Sequence, residues 1–361
     1  MYYGDDGNIY QAAEHVGKRP EEILDFSSNV YPCPLSPGVK EEAARRVEEI
    51  RAYPDPGARE LRRRAGQRFG VAPEAVLAGC GATEFIHAVP RALHVRRVVV
   101  LAPCYHDYWR AVEQAGGDAE GILTSEADEF VPDLSQVEAR LSGVDMVILG
   151  NPNNPTGVAV PADAIRLLAN RSPGVLFLVD ETYTEFVPEA GGVTLMGKPL
   201  PRNVIVLRSL SPFHAAPGLR LGFMIADPEL CSRVQRIREP WRVGALAQAI
   251  GAALLADATD HAPIRERVIA ERERMRDELS RMPGLRVFHS QANFLLVKIT
   301  RPTLSAGELC ERLLRQCVLV RNAAGFRGLD GRFVRVSVRL PEENDLFLGA
   351  MHRALDDKQW K

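Results

Sequence analysis

Lysine is scarce in this chain. Of 45 basic residues only Lys18, Lys40, Lys198, Lys298, Lys358 and Lys361 are lysines, and the rest are arginines. Any chemistry that needs a primary amine therefore has a short list of candidates. The six cysteines (Cys33, Cys80, Cys104, Cys231, Cys310 and Cys317) are scattered, with no C-x-x-C pair. That spacing argues against a zinc site and against a disulfide framework, so no metal is expected. A reduced, cytoplasmic setting is the simplest expectation. No run of about 18 apolar residues is present to span a membrane, and the N-terminus has no charged-then-apolar signal pattern. A net charge of −2 provides no basic footprint for nucleic acid. There is no internal repeat and no low-complexity tract. What is there is ordinary for a soluble globular protein: 46% hydrophobic and 25% charged residues in 361. That length suits two domains.

Residues 1–45 are rich in turn formers, with one short helical stretch near Tyr10–Val16, and read as an N-terminal arm that packs with the small domain. Glu41–Glu49 and Ala58–Phe69 read as amphipathic helices split by Tyr53-Pro-Asp-Pro-Gly57. Short apolar runs follow at Val98–Ala102, Met146–Leu149, Leu176–Asp180 and Val204–Leu207, alternating with helical stretches such as Glu84–Leu93 and Ala162–Asn170. Runs of this kind suit strands buried on both faces of a mostly parallel sheet, so residues 46–240 read as a large α/β domain. From 241 to 361 the character changes to a smaller α+β domain. It has a long charged helix over Ala262–Met282, strands at Leu285–Phe288, Phe294–Ile299 and Phe333–Val338, and helices at Ala306–Gln316 and Glu343–Leu355.

Several motifs fall at strand ends, where doubly wound sheets collect ligands. Gly79-Cys-Gly-Ala-Thr-Glu84 ends a strand and opens a helix; free N–H groups there suit a phosphate, although glycine turns before helices are common. Tyr105, after the next strand, has a ring that suits stacking on a flat heteroaromatic group, or simply a place in the core. Asn151-Pro-Asn-Asn-Pro-Thr-Gly157 is more specific, since two Asn-Pro steps fix a rigid turn that presents an amide. Leu178-Val-Asp-Glu-Thr-Tyr183 puts a carboxylate at the end of an apolar strand, which is costly unless it is paired. A pyridinium N–H is one partner for Asp180, and a helix cap is another use. Tyr183 suits a hydrogen bond to a ring hydroxyl. Ser209 and Arg220 together suit a phosphate. Arg335 and Arg339 alternate in Val334-Arg-Val-Ser-Val-Arg339, an arrangement that suits clamping a carboxylate as well as surface ion pairing.

In order and spacing these motifs resemble the class I/II aminotransferases of the pyridoxal-phosphate (PLP) fold-type I superfamily, essentially end to end. Within it the likeness is greatest to histidinol-phosphate aminotransferase and threonine-phosphate decarboxylase. Leu24-Asp-Phe-Ser-Ser-Asn29 and Val320-Arg-Asn-Ala-Ala-Gly-Phe-Arg-Gly-Leu329 resemble the decarboxylase type, and Gln291-Ala-Asn-Phe294 is shared by both. The resemblance implies a large domain with a mostly parallel seven-stranded sheet, a smaller C-terminal α+β domain, and a homodimer acting on an amino acid or amino-acid phosphate. It implies that Ala82, Thr83, Ser209 and Arg220 hold the cofactor phosphate and that Tyr105 stacks on the ring. Asn154 and Tyr183 would bind O3′, and Asp180 the ring nitrogen. Tyr53 would reach the phosphate in the other subunit. Asn29, Asn293 and Arg335 would surround the substrate, with Arg321 and Arg339 near a second acidic group. Cys80 stands where the family usually has Asn.

One departure matters more. Arg208-Ser-Leu-Ser-Pro-Phe-His-Ala-Ala-Pro-Gly-Leu-Arg-Leu-Gly222 resembles the family's anchoring loop, in which Ser-x-Ser/Thr is followed by the Schiff-base lysine; here that position is Pro212. Proline can neither hold the cofactor covalently nor move a proton. Lys298 points away from Asn293, Leu295 and Val297 along its strand, and Lys198 sits in Gly-Lys-Pro-Leu-Pro, read as a surface loop, so neither is expected to replace it. His214, two residues on, is the candidate base, with Tyr183 beside it. Three readings follow: an enzyme that uses PLP, pyridoxamine phosphate or a preformed aldimine noncovalently; a non-catalytic pseudoenzyme or heteromer subunit; or a PLP-independent enzyme reusing the pocket. Retention of Asp180, Asn29, Asn293 and Arg335 favours the first.

Overall fold

The computed structural model describes residues 8–188, 192–257, 261–356, 358 and 360. Its strands are β1 (Leu24–Asp25), β2 (Val76–Gly79), β3 (Arg97–Ala102), β4 (Asp118–Leu123), β5 (Met146–Gly150), β6 (Leu176–Asp180), β7 (Val204–Ser209), β8 (Gly222–Ile225), β9 (Leu285–Val287), β10 (Phe294–Ile299), β11 (Val318–Leu319), β12 (Arg321–Asn322) and β13 (Phe333–Ser337). Among the described residues β2–β8 form a seven-stranded sheet in the order β2-β8-β7-β6-β5-β3-β4. Only β8 runs against its neighbours, pairing antiparallel with both β2 and β7. The expected α/β architecture, a large mostly parallel sheet with a smaller α+β part, is the one observed.

Alternation along the apolar runs explains the two layers of helices, because successive side chains leave a strand on opposite faces. Val98 and Val100 join Ile148, Leu178 and Ile205 under Phe85, Val89 and Val112 on one face. Val99 and Leu101 join Val147, Phe177, Val179 and Val206 under Leu61, Ile165, Leu168 and Leu254 on the other. A sheet covered in this way leaves its strand ends as the open edge.

The smaller sheet is antiparallel, in the order β12-β13-β10-β9. Helices Ala262–Ser280, Ala306–Leu314 and Pro341–Leu355 bury Met275, Leu279, Leu309 and Phe347 against Leu295, Val297, Val334 and Val336. β1 pairs parallel with β11, and Phe26 stacks on Phe347 with centroids 4.6 Å apart. Just beyond, the Tyr31 N–H donates to the Pro212 carbonyl at 3.0 Å, tying the arm to the loop after β7.

Two segments pack elsewhere than expected. Helix Pro37–Arg45, within the arm, and helix Ala245–Ala256, placed with the C-terminal part, both lie on the large-sheet side, where Val39 and Leu254 join the same core. Apolar content decides the second case. The segment is an alanine- and leucine-rich helix, and Gly251 admits Leu221 so closely that a Cβ there would stand 2.2 Å from its methyl carbon. The helix expected at Glu41–Glu49 starts earlier because Ser36 caps it and Pro37 opens it.

Candidate active site

The carboxyl ends of the large sheet open onto a cavity of about 360 Å³. β2 leads into Gly81, whose φ of 83° turns the chain into helix Ala82–Ala92. The N–H groups of Ala82 and Thr83 are at the first turn of that helix, where peptide dipoles favour an anion. Arg220 lies against the same turn: a Cβ on Gly81 would stand 2.9 Å from its guanidinium. Gly222 is equally constrained, since a Cβ there would stand 2.3 Å from Ala82 N. Glu84, the acid of this first turn, is held away by Arg238, whose Nε donates to it at 2.6 Å. Ser209 closes β7, and its Oγ accepts from the Ser211 N–H at 3.2 Å. Ala82, Thr83, Ser209 and Arg220 thus line one end of the cavity with groups of the kind that suit an anion.

Asp180 ends β6 and is buried. Its Oδ1 accepts from the Thr182 hydroxyl at 2.5 Å and N–H at 3.0 Å, and its Oδ2 accepts from the Tyr108 hydroxyl at 2.8 Å. Burial raises the carboxyl above its ordinary range against these bonds. Tyr105 lies beside it, edge-to-face with Tyr108 at 5.9 Å. Burial also raises the Tyr183 phenol, which accepts from Asn29 Nδ2 at 3.1 Å. Tyr183, expected as a catalytic group, is therefore a proton donor near neutral pH and not a ready base.

Arg335 comes from β13, with Nη1 donating to Asn154 Oδ1 and Nη2 to the Ser27 carbonyl, both at 2.6 Å. Its Nε is buried without a hydrogen-bond partner. Burial lowers the guanidinium to about 10, so it remains cationic at neutral pH. A buried cation held by amide and carbonyl oxygens has a strong demand for an anion. Arg321 lines the same side, its guanidinium 5.5 Å from the centre of the Phe326 ring.

Ala82, Thr83, Tyr105, Asn154, Asp180, Tyr183, Ser209, Arg220, Asn29, Arg321, Arg335 and Pro212 all border this one cavity. Four expected residues do not. His214 is a correction: the turn after Pro212 buries Phe213 and directs the imidazole to Glu185, 3.8 Å away, and to the His261 ring, 5.3 Å away. Arg339 is another: β13 ends at Ser337, the alternation stops there, and the guanidinium pairs with Glu343 at 2.9 Å. Asn293 is fully buried behind the cavity and donates to the Asn29 carbonyl at 3.1 Å, so it supports Asn29 and does not line the site. Tyr53 is 83% exposed, its ring 5.0 Å from that of Trp241.

The cavity also contains residues to which sequence reasoning gave no role: His106, Tyr108, Thr182, Ser211 and Phe326. Tyr105 and Tyr108 are three residues apart at the start of helix Asp107–Gln114, and that spacing was the available signal. No lysine borders the cavity among the described residues. Lys298 Nζ donates to Glu126 at 2.5 Å, Lys198 Nζ to Asp163 at 2.8 Å, and Lys18 pairs with Glu22 at 3.7 Å. Lys361 lies outside the described residues.

A profile described as "Aminotransferase class I and II" matches residues 21–350. The chain belongs to the class I and II aminotransferase family. This aminotransferase-family chain is 33% identical over 352 residues to threonine-phosphate decarboxylase of Salmonella typhimurium, covering 97% of the chain and 96% of that protein. It is 32% identical over 346 residues to histidinol-phosphate aminotransferase of Methanothermobacter thermautotrophicus, covering 94% and 91%. Among solved structures, histidinol-phosphate aminotransferase from Sinorhizobium meliloti in complex with pyridoxal-5'-phosphate superposes with a TM-score of 0.85 at 21% identity, covering 96% of this chain and 94% of that one. The fold of this aminotransferase-family chain is that of the PLP fold-type I enzymes. No helix among the described residues is long and apolar enough to cross a membrane.

Proposed function

We propose that this chain is an enzyme acting on an amino acid or amino-acid phosphate, and that it holds PLP or pyridoxamine phosphate without a covalent bond. The observation that carries this reading is Pro212, which borders the cavity in a site otherwise furnished for the cofactor. A buried carboxylate, an anion-binding helix start and a flat phenol ring fit the three parts of a phosphorylated pyridine. When bound, the cofactor supplies an electron-accepting ring for carbanion chemistry at the substrate's Cα.

The chain's own residues then have separate tasks. Ala82, Thr83, Ser209 and Arg220 bind the phosphate, and Tyr105 covers one ring face. Asp180 takes the ring N–H. The Asn154 amide, with its oxygen occupied by Arg335, presents its Nδ2 to the ring oxygen, and Tyr183 donates to the same group. Arg335 takes the substrate carboxylate and Arg321 a second acidic group. For proton movement, His106 replaces His214 as the candidate, being the imidazole that borders the cavity. The exposed Tyr53 and Trp241 rings, 5.0 Å apart, form an apolar patch suited to a second copy of the chain, which supports a homodimer.

The test is a visible-absorption titration with PLP, then with pyridoxamine phosphate, followed by turnover of amino-acid phosphates. A saturable change with turnover supports this reading. Saturation without turnover favours a pseudoenzyme, and no change with either form contradicts cofactor use.

A further inference from the structure

Two different devices hold the Asp180 carboxylate. Thr182 bonds Oδ1 from the turn that follows β6, a local arrangement common after a strand. Tyr108 bonds Oδ2 from 72 residues away, on another element, and is fully buried in order to do so. Room is kept for its hydroxyl by Gly150 at the end of β5, where a Cβ would stand 3.3 Å from that oxygen. Burial, followed by the Asp180 charge, holds the Tyr108 phenol well above its ordinary range, so it keeps its proton and stays a donor. A carboxylate oxygen has two lone-pair sites, and Tyr108 occupies one of those on Oδ2.

We propose that Tyr108 is a positioning residue that turns the remaining Oδ2 lone pair of Asp180 toward the ring nitrogen of the bound ligand and keeps that carboxylate anionic. This rests on the cofactor reading above. The physical need is plain. A carboxylate in a dry site loses its charge by taking up a proton, and a protonated acid meets a ring N–H donor to donor. One strong, permanently protonated donor on Oδ2 opposes that outcome without competing for the ring. The spacing Tyr105-x-x-Tyr108 then gains a meaning: one helix start supplies both the residue over the ring face and the residue that sets the acid at its edge.

The test compares two ligands on each protein: PLP and its analogue with CH in place of the ring nitrogen. Wild-type protein should bind PLP more tightly by about tenfold or more, as a charge-assisted hydrogen bond contributes. Tyr108→Phe should lower that preference by about fivefold, while the affinity for the analogue, which makes no such bond, stays nearly constant. A merely structural role would weaken both ligands alike, and an unchanged preference in Tyr108→Phe overturns the proposal while leaving the cofactor reading intact. Failure of wild type to bind either ligand overturns the cofactor reading itself, and this inference with it. If the phenylalanine variant does not fold, Gly150→Ala, whose methyl would stand 3.1 Å from the Asn153 Cα and 3.3 Å from the same hydroxyl, should reduce the ratio of the two affinities beyond any loss common to both ligands; an unchanged ratio there also counts against the proposal.

Discussion

Pro212→Lys should give this chain a covalent hold on PLP that the wild type lacks. Residue 212 is buried at the cavity wall, and its carbonyl accepts the Tyr31 N–H at 3.0 Å, a bond that a change of side chain leaves in place. Losing the proline frees the unfolded chain by about 0.4–1 kcal/mol. Ordering a long side chain costs up to about 2 kcal/mol more. A total near 3 kcal/mol is tolerable for a domain of ordinary stability. In return the introduced amine condenses with the cofactor aldehyde, with loss of water, and supplies a positioned acid/base, worth about 10²–10⁴ in rate. The assay is borohydride reduction of the PLP-saturated variant followed by intact mass, with turnover of an amino-acid phosphate beside it. Pro212→Ala should show neither the fixed mass nor the gain. A folded Pro212→Lys variant that binds PLP but fixes no mass would refute the placement of residue 212 at the cofactor aldehyde.

Four further outcomes follow from the geometry. Gly222→Ala drives a methyl into the Ala82 N–H and should lower stability by about 1–3 kcal/mol and weaken binding of inorganic phosphate, measured by calorimetry and thermal melting. His106→Gln should slow turnover by about 10²-fold or more with little change in melting temperature. His214→Gln, which disturbs Glu185 and not the cavity, should mainly lower the melting temperature. Burial acts to raise the Glu185 carboxyl, but the His214 imidazole 3.8 Å away and the Arg208 charge prevail and hold it at about 2 against an ordinary 4.5. A depressed carboxylate stabilises the fold above its unfolded value and loses that contribution as pH falls from about 4.5 toward 2, here on the order of 3 kcal/mol. Glu185→Gln should flatten the pH dependence of melting in that window.

The large sheet was legible because its central strands are buried on both faces. Leu176–Asp180 matches its expected bounds, as does Phe294–Ile299 in the smaller sheet, and Val98–Ala102 and Met146–Leu149 differ from the observed strands by one residue. The edge strand β4 was not read. Its Asp118, Glu120 and Gly121 break the apolar run because little covers an edge. β8 escaped because four residues ending a glycine-rich loop carry no period of their own. At the site, motif spacing located the residues that leave strand ends directly, such as Asp180, Ser209 and Arg220. It failed where a turn redirects the chain, as at His214, and where alternation was extended past the end of β13, as at Arg339. Tyr108 and His106 were not assigned because their roles depend on where the helix start after β3 lies relative to β6, two positions away in the sheet.

The central claim is that a site equipped for PLP operates here without a lysine anchor. It is tested most directly by saturating the wild-type protein with PLP, recording the absorption change, reducing with borohydride and weighing the intact chain. The account predicts a saturable absorption change and an unaltered mass. A mass increased by one reduced cofactor, mapping to any of the six lysines, would contradict it.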